Sequence, residues 1–280
     1  MTDALLFCPL PARGVVRIDG PDRLTFLQGL VTQDVARASG DQAAFAALLT
    51  PQGKVIADFF ILDRGEALWL ETGDAAKVAA RLKPYLMRAK AQLAVDDSLA
   101  VAALTGPATP GALAGGLVFT DPRRPDLGAR WIGPSARAAE AAAALGATLA
   151  DAQAYDLHRL ALGVPDAAAD ISLEQDFALE GLYDELGGVD FHKGCYVGQE
   201  MTSRMKRRGT VRSKLARVAF EGAAPCATAA TSISTACGSA RCAQGWTAPR
   251  WRWSGSTGRW RRAASSTWTA GPPGWTCSRG

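Results

Sequence analysis

A change of composition at residue 222 constrains this chain more than anything else in it. Residues 222–280 hold seven Arg (241, 250, 252, 259, 261, 262 and 279) and no Lys, Asp or Glu. They also hold six of the eight Trp and four of the six Cys, but no Leu, Val, Phe or Tyr, and their one branched aliphatic residue is Ile233. Such a stretch shows neither the helical nor the strand period of a half-buried element. Alternation of Arg and Trp at Arg250, Trp251, Arg252 and Trp253 could stack on single-stranded nucleic acid or lie on a membrane. So much aromatic surface is foreign to an ordinary disordered tail. The genetic code offers a third reading. Asn is absent from the chain and Arg far outnumbers Lys, as in a GC-rich gene, where wrong frames contain few stop codons. Read one nucleotide earlier, every Trp or Cys codon becomes NTG, which encodes Leu, Met or Val. All ten tail Trp and Cys then become aliphatic. We therefore read a slip of frame near Pro225 or Cys226, which predicts that 226–280 are out of frame and disordered.

The body before the tail has a different character. Removing the seven tail Arg from the 31 basic residues leaves 24 against 27 acidic ones, a net charge of −3 for 1–221. Nothing in that balance calls for nucleic acid as a partner. The chain is 48% hydrophobic with a mean hydropathy of +0.00, enough for a sizeable core. It has no uncharged apolar run near the roughly 18 residues of a membrane span. Its first residues, MTDALLFCPLPARG, carry neither a secretory nor an organelle leader pattern. Only Cys8 and Cys195 precede the tail, which is no disulfide framework. These features predict a reduced, cytoplasmic protein.

Residues 14–22 alternate apolar and polar side chains and end in a Gly-Pro turn, predicting a strand. Asp22 is placed to cap a helix over 23–37, where Leu24, Leu27, Leu30, Val31 and Val35 recur at helical spacing. A hairpin follows, AALLT, the turn PQGK at 51–54, and VIADFFIL. Strand ALWLET leads into a helix from Asp74 to about residue 90, with Pro84 starting or kinking its last turns. Two short strands, a Gly- and Pro-rich stretch over 105–135, a short helix at 139–147 and a helix ending at Gly163 complete the pattern. Strands and helices mingle without a regular βαβ repeat, so the expected class is α+β.

Chemistry concentrates at 187–209, GGVDFHKGCYVGQEMTSRMKRRG. Gly194 and Gly198 bracket Cys195 and permit tight turns there. The run from Gln199 has helical propensity. A thiol ahead of a helix N-terminus, near Lys193 and His192, should have its thiolate favoured. Glu200 and Arg204 stand four apart and could pair. The plainer alternative is a buried structural cysteine in a Gly-rich turn. With two His and two body thiols, no zinc or iron-sulfur ligand set is available, so no metal site is expected.

The segments LKPYLMRAKAQL, RLALGVPD and KGCYVGQEMTSRMKRRGTVRSKL, with PQGKVIADFF and GVVRIDGPDRLTFLQGLVTQDV, resemble the YgfZ family over roughly 10–220. That family comprises folate-binding relatives of the glycine-cleavage T-protein (aminomethyltransferase) that act in iron-sulfur protein maturation. The resemblance implies a T-protein-like folate-binding body over 1–215, with room for a subdivision near residue 100. A small C-terminal β-barrel would follow from 216, in the position of the scrambled tail. It implies tetrahydrofolate or a derivative as cofactor, and iron-sulfur clients or assembly factors as partners. Cys195 falls on the signature cysteine. Lys193, Tyr196, Gln199, Glu200 and Arg204 match the same motif and would shape its loop and helix, with Tyr196 lining the pocket. Glu180 falls where the family has a carboxylate that could face the pterin, and Asp58 is the one acid left where aminomethyltransferases tend to carry an Asp pair. Arg88, Lys90, Arg204 and Lys206 are candidate cations for a folate glutamate tail. Ala161 stands where aminomethyltransferases tend to carry a pterin-holding Glu. The resemblance therefore favours an accessory factor over the alternative, a one-carbon transferase acting on tetrahydrofolate.

Overall fold

An apolar run has to be covered on both faces, and the hairpin over 44–63 is where this chain does so. In the computed structural model the elements run β1 (Leu6–Pro9), β2 (Gly14–Asp19), α1 (Arg23–Gln28), β3 (Ala44–Leu49), β4 (Val55–Asp63), β5 (Ala67–Thr72), α2 (Ala75–Leu82) and β6 (Gln92–Val95). Then come β7 (Leu99–Thr105), β8 (Gly111–Leu113), β9 (Gly116–Thr120), β10 (Ala129–Pro134), α3 (Ala138–Ala144), β11 (Thr148–Leu149), α4 (Ala152–Ala161), α5 (Ala167–Asp170), α6 (Gln199–Arg208) and β12 (Ser213–Ala216). The structure describes residues 4–209, 211 and 213–216 with their side chains, and beyond Ala216 only the backbones of short strands. Strand backbones at Thr231–Ser234, Ala240–Cys242, Trp251–Ser254, Arg259–Arg262 and Trp275–Cys277 depart from the disorder expected over 226–280. The frame slip, the missing barrel and the rest of that expectation lie outside the described residues.

The class is α+β. One sheet has the order β3-β4-β5-β2-β6 and a second the order β11-β1-β7-β10-β9-β8. The chain passes from the first to the second between β6 and β7, but β1 lies in the second sheet beside β7. Period-two alternation divides the side chains between layers. Ala44, Ala46, Leu48, Phe59 and Ile61 face α1 and α2, while Phe45, Ala47, Leu49, Phe60 and Leu62 face the other way. That second layer continues through Val101, Ala103, Phe119 and Ile132 of the other sheet. Thus β3 and β4 are covered by helices on one face and by the second sheet on the other, which is why their sequence is apolar at consecutive positions. The outer face of the second sheet, with Phe7, Leu104 and Trp131, packs on Ala141 and Ala142 of α3.

The helix expected over 23–37 stops at Gln28. Its polar residues are drawn into tertiary bonds: the Gln28 side chain accepts from Val35 N–H (2.9 Å) and donates to Asp34 (3.0 Å). The Thr32 hydroxyl accepts from Ala47 N–H (2.8 Å) and donates to Gly188 O (2.6 Å). Asp22 does not cap α1; its carboxylate accepts from Lys90 N–H (2.8 Å). Asp74 caps α2 through Lys77 N–H (2.8 Å), and Pro84 sits at the start of a 3-10 turn over Lys83–Arg88. A proline there lacks only a donor that the first turn leaves free.

Candidate functional site

Three segments separated in sequence meet at the cysteine loop. The Asp190 carboxylate accepts from His192 N–H (2.7 Å) and Lys193 N–H (3.2 Å), closing the loop on itself. The Lys193 ammonium then reaches into the body and donates to the carbonyls of Gln28 (2.8 Å), Val31 (2.8 Å) and Gln33 (2.9 Å). Burial lowers Lys193 to about 8, which leaves it protonated at neutral pH. Val197 N–H adds a bond to Gly29 O (3.2 Å). The third segment is the hairpin turn before β4. Gly198 caps α6 with φ +83°, and a Cβ there would stand 2.7 Å from Thr50 O. This glycine is required twice over, by its left-handed backbone and by the turn packed on it. Gly194, expected to serve likewise, has open space around it and no positive φ.

Cys195 is exposed on this loop, so the buried structural alternative does not hold. Lys193, expected beside the thiol, has its ammonium in the body instead. Tyr196 is buried, and burial pushes its hydroxyl up to about 12. Gln199 is half-buried at the start of α6, whereas Glu200 and Arg204 are exposed and do not form the expected ion pair. Glu180 has both carboxylate oxygens engaged, one by Phe177 N–H (2.9 Å) and one by the Ser213 hydroxyl (3.1 Å). It ties its turn to β12.

Beside this loop lies a cavity of about 520 Å3, lined among others by Gln33, Arg37, Asp41, Phe45, Pro122 and Gly187. Gln33 joins the two features: its amide donates to Gly187 O and its carbonyl accepts from Lys193. Cys195, Lys193, Tyr196, Gln199, Glu200, Arg204, Glu180 and Asp58 are not among the residues lining this cavity. Phe45 is its apolar wall, stacked on Tyr183 with ring centroids 5.3 Å apart and planes at 11°.

Behind Phe45 is a buried ionic cluster that sequence reasoning missed apart from Asp58. Tyr183 donates to Asp58 (3.2 Å). The Arg123 guanidinium lies 5.4 Å from the Phe45 ring centre and pairs with Asp121 (2.7 Å). Arg130 reaches Glu71 (3.4 Å) and Asp121 (3.5 Å) and donates to the Tyr155 hydroxyl (2.7 Å). Arg13 bonds Glu71 and pairs with Asp166 (2.6 Å). Burial, followed by the charge of Asp166, pushes Asp58 up to about 6 against the pull of Arg13 and Arg123. Burial raises Asp166 in turn, but Arg13 and Arg159 outweigh it and hold that acid low. A signal was present in the sequence: Glu71 and Arg130 are single charges at inward positions of otherwise apolar strands.

No family model matches the chain. It is similar to a protein named "Iron-sulfur cluster assembly factor IBA57 homolog, mitochondrial" from Mycosarcoma maydis, 34% identical over 229 residues, covering 75% of this chain and 56% of the relative. Proteins of the same name from Pyricularia oryzae (32% over 228 residues, 75% and 56%) and Phaeosphaeria nodorum (33% over 232 residues, 76% and 55%) match likewise. The chain spans about half the length of these relatives. Among solved structures, the glycine cleavage system aminomethyltransferase T from Bartonella henselae superposes with a TM-score of 0.64 at 15% identity, covering 78% of this chain and 67% of that one. That likeness shows a shared fold. These likenesses support a YgfZ-family assignment. The relatives are designated mitochondrial, which overturns the cytoplasmic expectation. Unpaired thiols report a reducing milieu and not an address.

Proposed function

We propose that this chain is a tetrahydrofolate-binding accessory factor in the assembly or repair of iron-sulfur proteins, with residues 1–215 as its folate-binding body. The observation that carries the reading is the cavity joined to the cysteine loop through Gln33. Its volume of about 520 Å3 falls among small-molecule sites, which run from roughly 300 to 1,000 Å3. The lining would suit a folate: Ala43, Pro110 and Pro122 offer apolar surface for a pterin, Asp41 and Gln42 offer polar groups for its edge, and Arg37 offers a cation for a glutamate tail. Tetrahydrofolate would supply a carrier for a one-carbon unit. In this reading Cys195 is the reacting group of the loop, and Lys193, Tyr196, Gln199, Glu200 and Arg204 hold or form the loop and its helix. Asp58 acts on the pocket from behind Tyr183, and Glu180 braces the neighbouring turn. The partners are iron-sulfur clients or assembly factors, which agrees with the names of the relatives.

Calorimetry and thermal unfolding with tetrahydrofolate test the ligand. At a hundredfold excess over its dissociation constant, the folate should stabilise the chain by about 2.7 kcal/mol. Arg37→Glu, an exposed substitution, should weaken binding about tenfold. An unchanged melting temperature at saturating tetrahydrofolate removes the folate reading. The cysteine is tested separately: Cys195→Ala should fold and bind folate normally yet fail to restore iron-sulfur enzyme activity in cells lacking the protein. Turnover with an aminomethyl donor would move the assignment to a one-carbon transferase.

A further inference from the structure

The 3-10 turn over Lys83–Arg88 carries an exposed patch unrelated to the cavity. Tyr85 is 46% and Met87 89% exposed, whereas Leu86 between them packs into the core layer under α2. The turn is thus anchored, with its two large apolar side chains directed outward. Leaving a Met side chain in water forgoes the roughly 1.5–3 kcal/mol that burial would supply. Lys83, Arg88 and Lys90 flank the pair in sequence, all exposed, and among the described residues no ion pair engages them. The nearby Asp22 carboxylate is held by Lys90 N–H (2.8 Å), and Leu24, 38% exposed, stands two residues beyond it. The patch leads into β6, the edge strand opposite β3. Four strand spacings of about 4.8 Å place it roughly 19 Å across the sheet from the cavity wall. Arg88 and Lys90 are therefore remote from the proposed folate pocket, contrary to their reading as glutamate-tail cations.

We propose that this patch is a docking surface for a partner protein whose face presents an apolar socket for Met87 and Tyr85 inside an acidic rim. Tyr, Met and Arg are the residue types enriched in protein interfaces, where charged groups withdraw to the edge. The three exposed cations stand within three residues of the apolar pair along the chain. Charge separates this occupant from a polyanion. Three cations fall short of the roughly four to eight basic residues that hold a protein to an anionic bilayer, and they would release few counterions from a nucleic acid. An acidic protein face of matching size meets only the three cations. The inference stands independently of the folate reading.

The test places a diazirine side chain at position 87 of the full chain in cells, with the same probe at Leu157, an exposed apolar position on α4, as control. Cross-linked products are identified by mass spectrometry, and the protein found is purified and titrated with the full chain. The expected result is one protein, cross-linked from position 87 and not from 157 through a segment flanked by Asp or Glu. Its binding should fall at least tenfold with the paired substitutions Arg88→Glu and Lys90→Glu, and recover when the flanking acids of the partner are changed to Lys. Circular dichroism confirms that the reversed chain is folded. No product specific to position 87, a product with nucleic acid, lipid or a second copy of this chain, or a complex indifferent to charge reversal would each overturn the proposal.

Discussion

Asp58 is one of five carboxylates, with Glu71, Asp121, Asp166 and Asp170, that share a largely buried cluster with the guanidinium groups of Arg13, Arg123, Arg130 and Arg159. One acid is in excess, and Asp58, raised to about 6, is the member that takes up a proton as pH falls through that value. Because its folded pKa lies above the ordinary 3.8, the folded state binds more protons than the unfolded state between about pH 4 and pH 6. Stability from this group therefore falls as pH rises through that window, by on the order of 3 kcal/mol in all. Asp58→Asn, which keeps an acceptor for Tyr183, should remove that slope and raise stability at pH 7.5 toward the same amount. Urea unfolding of both proteins at pH 4.5 and 7.5 checks it, and parallel pH profiles would refute it. Lys193 gives a second residue-scale expectation. Lys193→Met leaves three carbonyls without their donor and should cost about 3 kcal/mol. Lys193→Arg should not rescue it, since a planar fork does not suit three converging acceptors; equilibrium unfolding of the pair decides. The sequence marked Lys193 as a neighbour of the thiol, but its real acceptors lie some 160 positions away, beyond the reach of any local pattern.

Among elements, strands β2 to β7 were legible because alternation and turn residues specify them locally, whereas β8, β9 and β10 lie in the stretch over 105–135 that its Gly and Pro residues disguised. The hairpin over 44–63 and the strand from Gly14 lie where their patterns put them. Helix α1 was read too long because its apolar spacing is genuine while its end is set by Gln28 and Thr32 bonding to other segments. The two glycines around Cys195 look alike in sequence and differ in the fold. Gly198→Ala should cost more than about 2 kcal/mol, from its positive φ and the contact with Thr50 O, and should loosen α6 from the hairpin turn. Gly194→Ala should stay within about 0.5 kcal/mol. Thermal melts of the two variants, with hydrogen exchange of the first turn of α6, distinguish them; equal losses would refute the assignment.

At the scale of the molecule, the buried cluster spans both sheets, with Glu71 on β5 facing Arg130 on β10. Removing one member leaves buried opposite charge without compensation, typically about 3–5 kcal/mol. Arg130→Met should therefore destabilise the amides of β4 and β10 together, as read by native-state hydrogen exchange. Loss confined to β10 would instead show two independently folding units divided near residue 100.

The sequence by itself determined the class, strands β2 to β7 and the motif loop, because periodicity, turn chemistry and the KGCYVGQE run are properties of neighbouring residues. It also marked the change of composition at 222, a property of residue counts alone. Only the tertiary structure decided that residues 28–33, the turn before β4 and the cysteine loop form one assembly, and that Phe45 walls a cavity with an ionic cluster behind it. The reason is physical: a buried charge or a cavity wall is defined by partners brought together across the chain, and local sequence carries no record of the distance between them.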